Sequence, residues 1–195
     1  MALAFITTNK HKFAEVQDIL APFGLEIEHL SLEYEENHDS SMEEIARQAA
    51  KKLSAELQRP LMLEDTGLFF EAYPQFPGAL PKFVFNTLGY KGIMKLLAGE
   101  ERGAYFKTVA AYGGPGQEPK LFAGLMRGTI TEEVFDEDGD FMPYDRIFIP
   151  EGQTQTISRL SMAEKNSFSQ RAQAFQKLAE YLQEKGLTRG GRTTS

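Results

Sequence analysis

The sequence predicts an α/β domain, and two observations carry that prediction. Short apolar runs of the length of buried strands alternate with longer segments whose apolar residues recur at helical spacing. Later in the chain, two further runs flank the turn Gly113-Gly114-Pro115-Gly116 and are typical of an antiparallel pair. In chain order, the predicted strands cover 3–7, 25–28, 61–63, 104–112 and 120–125, with a further strand at 128–133, and the predicted helices cover 13–20, 42–57, 92–98 and 168–182.

Length and composition set outer limits on the class of protein. At 195 residues the chain is one large domain or two closely packed lobes, long enough to bury about 70% of its unfolded surface. A net charge of -7 argues against an extended nucleic-acid surface but allows a local basic site for a small anion. The absence of cysteine excludes disulfides and thiolate metal sites. Because no apolar run reaches membrane-spanning length, we expect a cytoplasmic protein with no membrane contact.

The start of the first predicted helix carries one candidate site for an anion. Asn9 follows the first strand and can cap the helix, whose first free N–H groups attract negative charge. Lys12 lies in the first turn, where a cation opposes the helix dipole, and a bound phosphate would make that placement favourable. An ordinary capped helix with an exposed lysine explains these residues equally well.

A second candidate site follows the apolar run at 61–63, where Glu64 and Asp65 precede Thr66 and Gly67. We expect the strand to end at this acidic pair, which would then face the crevice where ligands of open α/β sheets bind. Two adjacent carboxylates can hold a divalent metal, or one can hold it while the other acts as a base. The alternative is a solvated Asp-Thr-Gly turn.

Local signals delimit several other elements. Three prolines within residues 73–81 predict a rigid loop, and the acidic segment 33–39 is typical of a solvated loop. Residues 188–195 are expected to form a flexible tail. Two capping boxes predict the starts of helices, and they are Ser40 with Glu43 and Ser161 with Glu164.

Three further charged side chains are candidates for a ligand site. Asp145 lies among apolar residues and is either a structural carboxylate paired with Arg146 or an acceptor for a substrate. Lys165 and Arg171 fall at the start of the C-terminal helical region, where a cation does not stabilise a helix. They are therefore a second indication of a bound anion.

Together these motifs resemble those of the inosine/xanthosine triphosphate pyrophosphatases, enzymes that remove non-standard purine nucleotides. The resemblance extends over nearly the whole chain, and the order and spacing of three signatures make a chance match improbable. The signatures are Thr7-x-Asn9-x-x-Lys12-x-x-Glu15, then Glu64-Asp65-Thr66-Gly67-Leu68 with Phe76-Pro77-Gly78, and then Phe148-x-Pro150 with Thr156 and Glu164-Lys165-Asn166-x-x-Ser169-x-Arg171.

The resemblance implies an α/β fold of two lobes on a long twisted mixed sheet, spanning residues 1–187, with a central active-site cleft. It implies a homodimer that requires Mg²⁺ and hydrolyses a nucleoside triphosphate to the monophosphate and pyrophosphate. By the same resemblance, Asp65 is the catalytic base and a metal ligand, and Glu36 and Glu64 are the other metal carboxylates. The implied substrate-binding residues are Thr7, Thr8, Asn9, Lys12, Thr66, Tyr144, Asp145, Lys165, Ser169, Gln170 and Arg171.

Two segments depart from the family pattern. The family carries Phe-Gly-Tyr-Asp-Pro and Ser-His-Arg segments that grip the purine, where this chain has Met142-Pro143-Tyr144-Asp145-Arg146 and Ser169-Gln170-Arg171. Pro143 removes a backbone N–H, and the Gln170 amide can both donate and accept. The family's lysine after the acidic loop is replaced by Ala49. We therefore expect pyrophosphate release to persist with an altered base preference. A nucleotide binder without turnover and a pyrophosphatase for another modified nucleotide are the alternatives.

Overall fold

The computed structural model describes residues 2–34, 40–136 and 138–187. Strands and helices alternate at the start of the chain, consecutive strands follow in its middle, and two helices close it. In chain order the elements are β1 (Leu3–Ile6), α1 (Lys10–Leu20), β2 (Ile27–Leu30), α2 (Met42–Leu57), β3 (Leu61–Phe70), β4 (Pro77–Gly78), α3 (Pro81–Leu96), β5 (Gly103–Gly113), β6 (Lys120–Ile130), β7 (Phe148–Pro150), α4 (Met162–Phe168) and α5 (Gln170–Glu184).

The strands form one seven-stranded sheet in the order β2-β1-β3-β5-β6-β7, with β4 paired to β3 beside this path. Strand β1 is parallel to both of its neighbours, whereas β3, β5, β6 and β7 pair antiparallel. The predicted α/β class with a mixed sheet is therefore confirmed. The further strand predicted at 128–133 is the end of β6, which continues without a break to Ile130.

Strand β3 does not end at the acidic pair, so that prediction was wrong. All ten of its residues pair with β5, from Leu61 opposite Gly113 to Phe70 opposite Ala104. On its other edge, β1 pairs only with 61–63 and β4 only with 68–69. Residues 64–67 therefore have no strand partner on that edge among the described residues. The crevice exists because β1 ends at Ile6, not because β3 ends.

Gly67 allows β4 to approach the second half of this edge of β3. A Cβ at Gly67 would lie 2.8 Å from the carbonyl oxygen of Gly78 in β4 and 2.8 Å from the sulfur of Met42. Both distances are shorter than van der Waals contact, so any side chain here would displace the backbone of β4 and the end of the Met42 side chain. The glycine that follows Thr66 is thus explained by packing rather than by a turn.

The helix starts agree with the sequence in two cases and differ in two others. Asn9 caps α1, and Ser161 with Glu164 forms the capping box of α4, both as predicted. The cap of α2 is Ser41, whose hydroxyl accepts from the Glu44 N–H, so the predicted pair of Ser40 with Glu43 was wrong by one residue. Helix α3 begins at Pro81 rather than at 92, and Gly89, with a φ of 60°, interrupts it.

Three buried clusters hold the helices on the sheet. Alternate residues of the strands face opposite sides, so Phe5 packs with α1 and α5 while Ile6 packs with α2. The third cluster lies at the other half of the sheet, where Phe106 and Phe148 pack with α3. The division into two lobes over 1–187 stays a prediction. The tail at 188–195 lies outside the described residues.

Candidate active site

One cavity of about 580 Å³ brings most of the predicted site residues together. Its lining includes every one of them except two. Ser169 is fully buried behind the wall, where its hydroxyl caps α5 by accepting from the Ala172 N–H at 3.1 Å. Glu36 lies outside the described residues. The residues that line the cavity are Thr7, Thr8, Asn9, Lys12, Glu64, Asp65, Thr66, Tyr144, Asp145, Lys165, Gln170 and Arg171.

Four parts of the fold deliver these side chains. The first is the connection from β1 into α1, and the second is the unpaired edge of β3. The third is the short turn Pro143–Arg146, which precedes β7, and the fourth is the corner between α4 and α5. These segments are far apart in sequence, and they meet because the sheet places the end of β1 opposite the two C-terminal helices.

Six side chains of alternating charge form what we call the charged wall: Lys12, Glu64, Arg171, Glu15, Lys165 and Asp145. Each contacts the next. The Lys12 ammonium lies 2.8 Å from Glu64, and the Arg171 guanidinium bridges Glu64 and Glu15. The Lys165 ammonium lies 2.6 Å from Glu15 and 2.8 Å from Asp145. Three cations and three anions are thus balanced within the protein.

Glu15 is the one residue of the charged wall that was not among the predicted site residues. Its side chain is buried between Lys165 and Arg171 and does not line the main cavity. The available signal was its place three residues after Lys12 in the first signature, on the helix face that turns toward the core. Burial alone would raise the pKa of Glu15, but the charges of Arg171 and Lys165 lower it below its ordinary value.

Glu64 is the most fully engaged carboxylate in the wall. One oxygen accepts from Lys12 at 2.8 Å and from Arg171 at 3.2 Å, and the other accepts from the Thr66 hydroxyl at 2.9 Å. Since Thr66 donates to Glu64, the buried Thr108 hydroxyl, 2.6 Å away, donates to Thr66. Burial opposes ionisation, but Arg171 and Lys12 lower the pKa of Glu64 to about 2. Glu64 is therefore ionised at neutral pH.

The cations of the C-terminal helices have partners inside the protein. Asp145 pairs with Lys165, whereas one of the two roles considered from the sequence paired it with Arg146. Burial raises the pKa of Asp145, and it would lower the pKa of Lys165 if Asp145 and Glu15 did not raise it. The positions of Lys165 and Arg171 are thus explained by buried carboxylates. Their placement alone no longer indicates an anion.

The N-terminus of α1 is partly occupied by its own cap. The Asn9 side-chain oxygen accepts from the N–H groups of His11 and Lys12, and the Asn9 N–H donates to the Thr7 hydroxyl. Two of the helix N–H groups that could hold an anion are therefore engaged. From this segment, the exposed Thr8 and the Lys12 side chain line the cavity and are the groups left to contact an anion.

Another part of the cavity lining is what we call the aromatic wall: Phe85, Phe106 and Tyr144. The Tyr144 ring packs edge-on against Phe85 at 6.0 Å and against Phe106 at 6.4 Å, measured between centroids. Its hydroxyl donates to the carbonyl oxygen of Pro81 at 3.0 Å, and burial raises its pKa. The sequence pattern gave no signal for the two phenylalanines, because each fits an ordinary apolar position.

Gln170 is a buried polar side chain at the cavity. It is 4% exposed, and its side-chain oxygen accepts no hydrogen bond from any described residue. A buried amide oxygen without a donor is costly, so a ligand that donates at this point would be favoured. The neighbouring Pro143 has its carbonyl oxygen engaged by the Tyr90 hydroxyl at 2.8 Å.

The carboxylates at the cavity are chemically suited to bind a hard divalent cation. Glu64 and Asp65 both line the cavity, and carboxylate oxygens are the ligands that such cations prefer. Within residues 2–34, 40–136 and 138–187, no group of three or more acidic or histidine side chains forms a complete cage. Mg²⁺ bound with nucleotides commonly uses only one or two carboxylates and takes further oxygens from the phosphates.

Comparison with known proteins gives a consistent result. The Ham1 family matches residues 3–181. A dITP/XTP pyrophosphatase of Methanopyrus kandleri is 43% identical over 182 residues, which are 93% of this chain and 96% of the relative. One of Saccharolobus solfataricus is 42% identical over 93% of each chain. A solved HAM1 protein of Coxiella burnetii superposes with a TM-score of 0.76 at 26% identity, covering 94% of this chain and all of that one.

Proposed function

The chain belongs to the Ham1 family, and from that premise we propose that it hydrolyses the triphosphates of non-standard purines, such as dITP and XTP, to the monophosphate and pyrophosphate. The observation that carries the proposal is the pairing of two unlike walls in one cavity. Lys12, the partly exposed cation of the charged wall, and the neighbouring Thr8 suit a phosphate group, and the aromatic wall suits a base. The cavity volume is within the range of small-molecule sites.

Phosphate binding would begin at Lys12. It is the most exposed cation of the charged wall, with 23% of its side chain accessible, and it lies beside Thr8 at the start of α1. A triphosphate would compete with Glu64 for the Lys12 ammonium. Moving that ammonium to a phosphate oxygen would leave Glu64 held by Arg171 and Thr66, so the carboxylate would keep its place.

Asp65 is the proposed general base for the attacking water. It is buried at the unpaired edge of β3, follows Glu64 in the sequence and lines the same cavity as Lys12. A divalent metal held by Asp65, Glu64 and Glu36 would neutralise phosphate charge and activate water. Enclosure of Asp65 by the cavity walls would orient the attacking water and limit the access of bulk solvent.

The experiment that tests the activity is release of pyrophosphate from ITP in the presence of Mg²⁺, compared between the wild type and Asp65→Asn. Loss of a general base lowers the rate by about 10²- to 10⁴-fold, so the variant should bind ITP but hardly turn it over. If neither protein turns over ITP while both bind it, the chain is a nucleotide-binding protein. EDTA should abolish turnover, and Mg²⁺ should restore it.

Base preference is the property that the departures from the family pattern at Pro143 and Gln170 would affect. The Gln170 amide can present its oxygen or its NH₂ to a ligand, so it can accept from an amino group or donate to a carbonyl. We therefore expect weaker discrimination between 6-oxopurines and 6-aminopurines than a rigid donor would give. A panel of ITP, XTP, dITP, ATP and GTP measures it, and a strong preference for ITP and XTP would contradict the expectation.

Assembly, location and cation belong to the same proposal. We expect a homodimer, cytoplasmic location and Mg²⁺ as the cation, with no nucleic-acid partner. Among the described residues, none of the helices combines the length and apolar character needed to cross a bilayer. Light scattering coupled to size-exclusion chromatography tests the dimer, and a monomeric mass would refute it.

A further inference from the structure

We propose that Gln173 is a positioning residue that sets the place of Lys165 and Arg171 by fixing the α4–α5 corner to the free edge of β6. The proposal rests on the proposed function, since it concerns how the same cavity is held in shape. Gln173 does not line the cavity, so it acts through the residues that do.

The first observation is that β6 has an open edge next to α5. Strand β5 pairs with β6 from Gly103 opposite Thr129 to Tyr112 opposite Lys120. On the other edge, β7 pairs only with 128–130. Among the described residues, no strand covers the edge of β6 before that point. Its backbone groups there need other partners, because unpaired strand edges are costly when covered.

The second observation is that the Gln173 amide takes the place of the missing strand. Its oxygen accepts from the Leu125 N–H at 3.2 Å, and its NH₂ donates to the Leu125 carbonyl at 2.8 Å. The same NH₂ donates to the carbonyl of Phe168, the last residue of α4, at 2.8 Å. One side chain therefore joins β6, the end of α4 and the first turn of α5.

The third observation is the closeness of the corner to β6. A Cβ at Gly124 would lie 2.0 Å from the carbonyl oxygen of Gln170 and 2.8 Å from the Cβ of Gln173. Only glycine permits this approach. The backbone of Gln170 thus rests on β6, directly before Arg171 and two residues after Phe168, the last residue of the helix that carries Lys165.

These contacts matter for the ligand because the charged wall tolerates little displacement. Lys165 and Arg171 come from the two helices that Gln173 joins, and each bridges two carboxylates. A shift of the corner by about 1 Å would stretch several ion pairs at once. Misplacement of this size can lower catalytic efficiency by about 100-fold.

The test compares Gln173→Met, which keeps the length of the side chain but removes its three hydrogen bonds, with Lys177→Met as a matched control. Lys177 lies one turn further along α5, and its ammonium makes one bond to the Ala123 carbonyl at 2.7 Å, away from the corner. We expect Gln173→Met to raise KM for Mg²⁺·ITP about tenfold, with kcat reduced less than about threefold. Lys177→Met should leave both within about twofold.

A purely structural role for Gln173 gives a different result. It would reduce the folded fraction, and hence kcat, while KM stays at the wild-type value, and that outcome overturns the proposal. Gly124→Ala, which pushes the Gln170 carbonyl away from β6, should reproduce the rise in KM; an unchanged KM there also overturns it. If the wild type does not hydrolyse ITP, the proposed function fails separately. In that case, titration calorimetry compares the Kd for ITP between Gln173→Met and Lys177→Met. A Kd that is unchanged in Gln173→Met overturns the positioning role.

Discussion

The charged wall and the aromatic wall of the cavity differ in how their side chains are held. In the charged wall, each side chain lies in contact with a neighbour of opposite charge, so the position of Arg171 depends on both Glu15 and Glu64. In the aromatic wall, Phe85, Phe106 and Tyr144 are held by ring packing within a larger apolar cluster. A change in the first should spread along the wall, whereas a change in the second should stay local.

Removing Arg171 should give the largest effect. Arg171→Met leaves Glu15 and Glu64 buried with less compensating charge, and breaking such a pair costs about 3–5 kcal/mol of unfolding free energy. Urea denaturation measures this. The control is Arg159→Met, because Arg159 pairs with Asp136 at a more exposed position, where the loss should be below about 1 kcal/mol. Equal losses in the two variants would contradict the coupling of the charged wall.

The second largest effect is expected from acid, which should weaken the ion pairs of the charged wall. The pKa of Glu64 is lowered from 4.5 to about 2 in the folded protein, so its contribution is fully present above pH 4.5 and is lost as pH falls toward 2. The loss should be on the order of 3 kcal/mol. Thermal unfolding between pH 6 and pH 2.5 measures it. In Glu64→Gln the pH dependence over this window should be shallower, and an identical slope would show that other groups dominate.

The aromatic wall is tested with two neighbouring phenylalanines of α3. Phe85 lines the cavity, whereas Phe83 is 63% exposed and does not. Phe85→Ala should raise KM for ITP about tenfold, because a lost apolar contact costs about 1–3 kcal/mol of binding, while kcat changes little. Phe83→Ala should bind ITP like the wild type. Steady-state kinetics distinguishes them, and a similar KM for both would place the base elsewhere.

The smallest expected effect concerns Gln170, which lines the same cavity as both walls. Gln170→His replaces a two-sided amide with a ring whose neutral form has one donor and one acceptor. We expect the ratio of kcat/KM for ITP to that for ATP to rise about fivefold, with stability unchanged within about 1 kcal/mol. A ratio that does not move would mean that Gln170 does not contact the base.

The sequence by itself determined much of this protein, because local rules suffice for many of its elements. Asn9 and the box at Ser161 predicted two helix starts correctly, since a cap depends on residues within one turn. The signatures around Lys12, Glu64 and Arg171 identified residues that the fold then brings into one cavity. The α/β class followed from periodicity, which reports the burial of one face of each element.

Only the tertiary structure decided the rest, because it depends on partners that are distant in the chain. Strand β3 passes through its acidic pair since β5 pairs with all ten residues, a fact that no feature of 61–70 reveals. Lys165 pairs with Asp145, 20 residues away, but the other partners of Lys165 and Arg171 come from α1 and β3, 107 to 156 residues away in sequence. The local pattern therefore could not show that these two cations belong to a wall of ion pairs. Long-range pairing fixes these contacts, and local propensity does not encode it.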